Sequence, residues 1–223
     1  MRIEPLGDRA VQAVLGGAPD EATRRRILAA SERVRADRLP GVVECVNGFT
    51  SLTLHYDPAV LSPERLEDSL RCLFAGLDEG EGAEGRVVEI PVCYGGEWGP
   101  DLAEVAALHG MPEAGVIELH AAGDYRVHMV GFLPGFPYLG GLHPALHTPR
   151  RSSPRTAVPA GSVGIGGGQT GVYPAESPGG WQLIGRTPLR LFDARRDPPA
   201  LLRAGDRVRF VAIDAAAFRA WAP

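Results

Sequence analysis

The spacing of apolar and polar positions changes period along the chain. Residues 2–6 and 9–15 alternate on either side of Gly7-Asp8, as two short strands around a hairpin turn would. Across 19–38 the period lengthens: Ile27, Ala30, Val34 and Leu39 recur at roughly helical spacing with charged residues between them. Asp20 stands near the start of this helix, where a carboxylate meets the positive end of the helix dipole. Residues 42–46 and 51–56 read as a second strand pair, bent at Asn47-Gly48. Ser62-Pro63-Glu64 then opens a helix, with Ser as N-cap and Pro at the first position, where its missing N–H costs nothing. Leu66, Leu70 and Leu73 form its apolar stripe, with Leu77 one turn on. The predicted order is ββαββα, a small two-layer α+β domain over residues 1–77.

The acidic, Gly-rich run DEGEGAEG at 78–85 carries no large apolar side chain and reads as a linker. Beyond it, residues 86–223 are strand-rich. Strands are predicted at 87–93, 125–130, 163–165, 171–173, 181–184, 189–192 and 205–213. Helices are predicted at 100–109, with Asp101 near its start and Gly110 ending it, at 116–120, and at 215–221. Many short strands with few helices indicate a mainly β barrel or sandwich. No internal repeat is visible.

Composition singles out one stretch of this second domain. From 131 to 185 there are 13 Gly and 8 Pro in 55 positions. A disordered tract of that kind would lack the Phe132, Phe136, Tyr138, Tyr173 and Trp181 interleaved here. Ordering such a chain costs about 1–2 kcal/mol per residue in backbone entropy, so ordered loops of this length tend to carry function.

The totals exclude several classes. A net charge of −4 argues against a nucleic-acid partner, which needs a basic face. No apolar run approaches the ~20 residues of a membrane span, and the N-terminus has no signal-peptide core, so a cytoplasmic protein is expected. Cys45, Cys72 and Cys93 are odd in number and widely spaced, which suits neither a disulfide framework nor a zinc knuckle. The 23 basic residues are all Arg. Without Lys there is no Walker A loop, no pyridoxal-phosphate Schiff base and no biotinylated carrier lysine.

Several residues could carry chemistry. The run GIGGGQTG at 164–171 is either a tight turn or a ligand-contacting loop, with Gln169 its only long polar side chain. Ser162 lies one residue off a nucleophile-elbow pattern, but the residues after it are strand-like rather than helical. His143 and His147 have an i, i+4 spacing without an evident third ligand, so no metal is predicted. Arg150, Arg151 and Arg155 put three guanidinium groups in six residues, suited to a carboxylate or phosphate or else to a solvated loop. His128, at a strand end before the aromatic loop, is the candidate proton carrier.

The segments GFLPGFPYLGGL (131–142), PRRSSPR (149–155), VPAGSV (158–163), QTGVYPAES (169–177), GGW (179–181) and GRTP (185–188) resemble the family of 5-oxoprolinase B subunits. That family includes a sporulation kinase inhibitor and was long known under the name of the first allophanate hydrolase subunit. The N-terminal Gly7-Asp8 and Ser51-Leu52 also match, so the resemblance covers nearly the whole chain. One departure is Asn47-Gly48-Phe49, where the family pattern has Pro before an aromatic residue.

The resemblance implies a cyclophilin-like β-barrel for the second domain. It also implies two partners of 5-oxoprolinase, its C subunit, which carries a related barrel, and its A subunit. Together they would open 5-oxo-L-proline (pyroglutamate) to L-glutamate with ATP hydrolysis, ATP sitting at a site shared with or supplied by the partners. This chain alone would then be inactive, one member of a hetero-oligomeric amide hydrolase. Within that frame Arg150 and Arg155 would meet anionic groups, and Gln169 and Tyr173 would orient polar ones. Phe132, Pro134, Phe136 and Tyr138 would form the apolar floor. Two other functions stay open: a regulatory binder that inhibits a sensor histidine kinase, and the carboxyltransferase component of a urea-carboxylase-like system. Prolyl isomerase activity by fold analogy alone is not supported, because fold does not carry function.

Overall fold

The computed structural model describes residues 1–77 and 85–221. The chain divides into two compact units at residues 84 and 85, and the expected linker at 78–85 lies, Gly85 apart, outside the described residues.

The first unit runs β1 (Arg2–Pro5), β2 (Ala10–Val14), α1 (Glu21–Asp37), β3 (Val42–Asn47), β4 (Ser51–Tyr56) and α2 (Pro63–Leu73). The strands form an antiparallel sheet in the order β1-β2-β4-β3. Local chemistry explains both helix starts. The Asp20 side chain accepts the Thr23 N–H at 2.8 Å, and Ser62 Oγ accepts the Arg65 N–H with Pro63 in the first turn. Ile27, Ala30 and Val34 of α1, with Leu66 and Leu70 of α2, share a core with Val11, Ala13, Leu52 and Leu54 of the sheet. Leu66 and Leu70 are fully buried, each contributing about 1.5–3 kcal/mol of hydrophobic stabilisation.

The second unit contains β5 (Val87–Tyr94), α3 (Leu102–Leu108), α4 (Glu113–Ala121), β6 (Tyr125–Val130), β7 (Pro137–Gly140), a 3-10 turn (Pro144–Leu146), β8 (Arg155–Val158), β9 (Ser162–Gly166), β10 (Gln169–Val172), β11 (Ser177–Gly179), β12 (Gln182–Arg186), β13 (Arg207–Ala212) and α5 (Ala215–Ala220). Seven of these strands close a barrel in the order β10-β7-β6-β13-β5-β12-β9, with β9 pairing back to β10. β8 and β11 pair as a separate ribbon. Alternation fills the barrel: on β13, Val208 and Phe210 face in while Arg207 and Arg209 face out.

Two sequence expectations need correction here. Residues 189–192 are not a strand. Leu191 is buried, but the segment makes only a single bridge, from Phe192 to Ala200. Conversely β7, β8 and β11 lie in segments where Gly and Pro had suggested loops.

A buried histidine ties α4 to the barrel. His120 is fully buried, with Nδ1 2.8 Å from the Tyr94 hydroxyl and Nε2 3.0 Å from Thr170 Oγ1. The Thr170 hydroxyl donates its one proton to the Gly164 carbonyl at 2.9 Å. Nε2–H must therefore donate to Thr170, which leaves Nδ1 to accept from Tyr94. Every proton in this relay is committed. Burial holds the imidazole neutral, lowering its pKa to about 3. The network joins helix α4, strand β5 and the β9–β10 hairpin, the last of which abuts the candidate site.

Candidate functional site

Leaving β6, the chain makes two consecutive turns. The Leu133 N–H donates to the Gly131 carbonyl at 2.8 Å, closing a three-residue γ-turn with Phe132 at its centre, φ 66. This positive-φ form is rare and strained for a residue that carries a Cβ. The Phe136 N–H then donates to the Leu133 carbonyl at 3.0 Å across Pro134-Gly135, and Gly135 takes φ 83, as the third position of a type II turn requires. The turns send Phe132 outward, 60% exposed, and bring Phe136 inward to 2%.

Phe136 is the hub of an aromatic cluster. It meets Phe132, Tyr173 and Trp181 edge-on at centroid distances of 5.6, 5.2 and 5.6 Å, and Tyr138 at 4.9 Å. Such pairs contribute about 0.5–1.5 kcal/mol each beyond their buried area, enough to stiffen a Gly- and Pro-rich surface. Over the cluster opens a pocket of about 270 Å³, lined by these five rings together with Arg150, Pro154, Pro178, Gly179 and Gly180. The Arg150 guanidinium lies 5.9 Å from the Trp181 ring centroid, a cation–π geometry. Gly179 is required by close approach, since a Cβ there would stand 2.4 Å from the Tyr173 hydroxyl oxygen. Burial pushes the Tyr173 phenol above its usual pKa, opposed by a backbone hydrogen bond with Trp181 and the charges of Arg150 and Arg155. Tyr173 is thus a neutral hydrogen-bonding group at neutral pH.

The lining holds one guanidinium, two phenols and flat apolar walls, with no carboxylate, histidine, cysteine or hydroxyl nucleophile of the serine type. It can recognise a small planar anion. It supplies no group that would attack one.

Behind the pocket, Asp101 organises the arginine loop. Its carboxylate, 2% exposed as a residue, accepts from Arg155 Nη2 at 2.6 Å, from Arg151 Nη1 at 3.1 Å and from the Leu183 N–H at 2.6 Å. The sequence suggests a helix-start role for Asp101, but its side chain caps no N–H of α3. It joins α3, β8 and β12 instead. No sequence signal pairs it with arginines 50 and 54 positions away.

Residues 1–202 match the model of the family described as carboxyltransferase domain, subdomain C and D. The chain is 46% identical over 230 residues to the B subunit of 5-oxoprolinase from Bacillus subtilis (strain 168), covering 99% of this chain and 96% of that protein. It is 51% identical over 209 residues to the corresponding B subunit from Escherichia coli O157:H7, covering 92% and 93%. The chain belongs to the family of 5-oxoprolinase B subunits. The crystal structure of the protein TTHA0988 superposes with a TM-score of 0.83 and 42% identity over 93% of this chain, which spans 40% of that protein's length.

Within this family member, Phe132, Phe136, Tyr138, Arg150 and Tyr173 come together at the pocket. Four other candidates do not reach its lining. Arg155 is turned to Asp101. Gln169 sits in the ladder opposite Gly166, next to the two-residue turn Gly167-Gly168, so the glycine-rich run is a hairpin turn. Pro134 is exposed on the type II turn. His128 is the extra residue of a bulge between Val127 and Met129, its ring lying over Gly140. Trp181, Pro154 and residues 178–180 were not predicted as site residues. The GGW segment was visible, but nothing in it says that the indole faces Phe136. Ser162 is a buried residue opening strand β9, not the tip of a strand-to-helix turn. Among the described residues no group of three or more His, Cys, Asp or Glu could hold a metal ion, and no helix is long and apolar enough to cross a membrane.

Proposed function

We propose that this chain is the B subunit of an ATP-dependent 5-oxoprolinase, opening 5-oxo-L-proline to L-glutamate together with the A and C subunits. The observation that carries the reading is the likeness, over nearly the whole chain, to two proteins named as B subunits of 5-oxoprolinase. The pocket chemistry agrees with it. A five-membered lactam is a poor electrophile. Transfer of the ATP γ-phosphoryl group to the lactam oxygen turns that oxygen into a leaving group. Water then adds at the ring carbon, and expulsion of the ring nitrogen opens the C–N bond and leaves an acyl phosphate. A second water hydrolyses that acyl phosphate to the carboxylate of glutamate and inorganic phosphate. A pocket with recognition groups and no nucleophile suits one wall of such a chamber, the reacting groups and the nucleotide being supplied from partner chains. In this reading Arg150 meets the substrate carboxylate and Tyr173 orients it, while Phe136 and Trp181 lie against the ring. Arg155 acts from behind through Asp101.

The test is reconstitution. The three component chains are mixed with ATP and 5-oxoproline, and glutamate is measured. Glutamate is expected only when this chain is present, and Arg150→Ala raises KM more than it lowers kcat. Unchanged activity on omitting the chain refutes the proposal.

A second reading rests on the family description, which names a carboxyltransferase domain. A carboxyl group would then arrive on a biotin carried by another chain, because this one has no lysine to bear it. Incorporation of labelled bicarbonate into urea by the assembled system, absent with 5-oxoproline, would favour this reading over the first.

A further inference from the structure

The barrel unit carries a second cleft that shares no lining residue with the aromatic pocket. It measures about 390 Å³ and lies among the Ala160-Gly161 turn, Pro174, the segment from Arg186 to Arg190, and Phe218 and Trp221 at the C-terminal helix α5. Its floor is held by backbone hydrogen bonds. The Gly161 N–H donates to the Tyr173 carbonyl at 2.7 Å, and the Thr187 N–H to the Gly161 carbonyl at 2.9 Å. Gly161 takes φ 82, and a Cβ there would stand 2.3 Å from the Thr187 carbonyl oxygen, so the two segments meet only because position 161 is glycine.

The charge of the cleft is one-sided. Its lining contains Arg186 and Arg190 and no acidic residue. Arg186 donates Nε to the Ala160 carbonyl at 2.7 Å. That bond fixes the plane of the guanidinium and leaves both terminal nitrogens without a protein acceptor among the described residues. Arg190 Nη1 reaches Asp193 at 3.2 Å, but the same carboxylate also accepts from Arg195, so it neutralises neither arginine fully. A guanidinium pinned through Nε presents its remaining N–H groups as a fork, the arrangement that suits phosphate oxygens. Beside it stands a flat apolar surface. Trp221 is 42% exposed, while Phe218 is backed by Trp98 at 5.3 Å. Helix α5 has no buried residue and Trp221, just past its end, is exposed, so neither Phe218 nor Trp221 is consumed by the barrel core.

We propose that this cleft is a second binding site, for a phosphate-bearing ligand, with Arg186 and Arg190 on the phosphate oxygens and Trp221 against a flat ring attached to them. The proposal stands on the cleft alone. It does not depend on the 5-oxoprolinase reading, and a failed reconstitution would leave its outcome untouched.

The experiment titrates the full chain with ADP, with inorganic pyrophosphate and with adenosine, following heat by calorimetry. Phosphate-dependent binding predicts saturable uptake of ADP and of pyrophosphate, and none of adenosine. Arg186→Gln and Arg190→Ala, each checked for an unchanged melting temperature, should weaken both anions by about tenfold or more, as loss of a charge-assisted contact does. Trp221→Ala should weaken ADP and leave pyrophosphate unchanged, which supports a nucleotide as the source of the phosphate. If ADP binds Trp221→Ala as well as it binds the parent, the stacked ring is overturned and the free inorganic anion is the ligand. The whole proposal falls if neither anion binds the parent chain, if adenosine binds as well as ADP, or if folded Arg186→Gln and Arg190→Ala bind like the parent.

Discussion

Replacing Asp101 by alanine removes the one acceptor shared by Arg151, Arg155 and the Leu183 N–H. Breaking a buried ion pair from one side costs about 3–5 kcal/mol, because the partner charges are left desolvated. The two arginine side chains are 31% and 24% exposed and can recruit some water, which places the loss near the lower end, about 3 kcal/mol. Against a domain stability of about 5–15 kcal/mol that is a large fraction. Asp101→Asn keeps one carbonyl acceptor and loses the charge, so roughly half the effect is expected. Urea unfolding followed by tryptophan fluorescence isolates the relevant unit, since Trp98, Trp181 and Trp221 all lie in the second unit. The double substitution Asp101→Asn with Arg155→Gln should cost less than the sum of its parts, by about 1 kcal/mol or more. A loss below about 1 kcal/mol for Asp101→Ala, or strict additivity in the double variant, would refute the shared-acceptor reasoning.

Phe132 offers a sharper test of local strain. Phe132→Gly should be more stable than Phe132→Ala by about 1 kcal/mol, the reverse of the usual order, because only glycine accepts φ 66 without cost; thermal melts of both variants decide it. In the reconstituted enzyme both should raise KM, and an unchanged KM would remove Phe132 from the substrate wall. His120 predicts a pH dependence. Its folded pKa is lowered to about 3 from 6.5, so the unfolded chain binds the extra proton first and stability falls as pH drops from about 6.5 towards 3. His120→Gln should flatten that part of the profile in denaturant titrations across the range, whatever its cost at neutral pH.

The parts of the fold legible in the sequence are those governed by near neighbours. Asp20 capping α1, the Ser62-Pro63 start of α2 and the in–out alternation of β13 each follow from residues within one turn or one strand. In β7 and β11 Pro and Gly erase the alternation, and β8 is four residues long between Pro154 and Pro159; all three are strands only through partners elsewhere in the chain. The apolar run at 189–192 misled for the opposite reason. Leu191 is buried by packing against the barrel core, not by membership of a ladder.

The same division holds at the site. Sequence alone determined that rings and guanidinium groups crowd a stiff, glycine-rich stretch, that no lysine chemistry is available, and which family the motifs resemble. Which arginine faces the pocket was decided only by the tertiary structure. Arg150 and Arg155 are near one another in the chain and chemically alike. The buried carboxylate of Asp101, brought in from 54 residues away, takes Arg155 and leaves Arg150 over Trp181. A charge's partner is set by distance in space, and spacing along the chain carries no record of it.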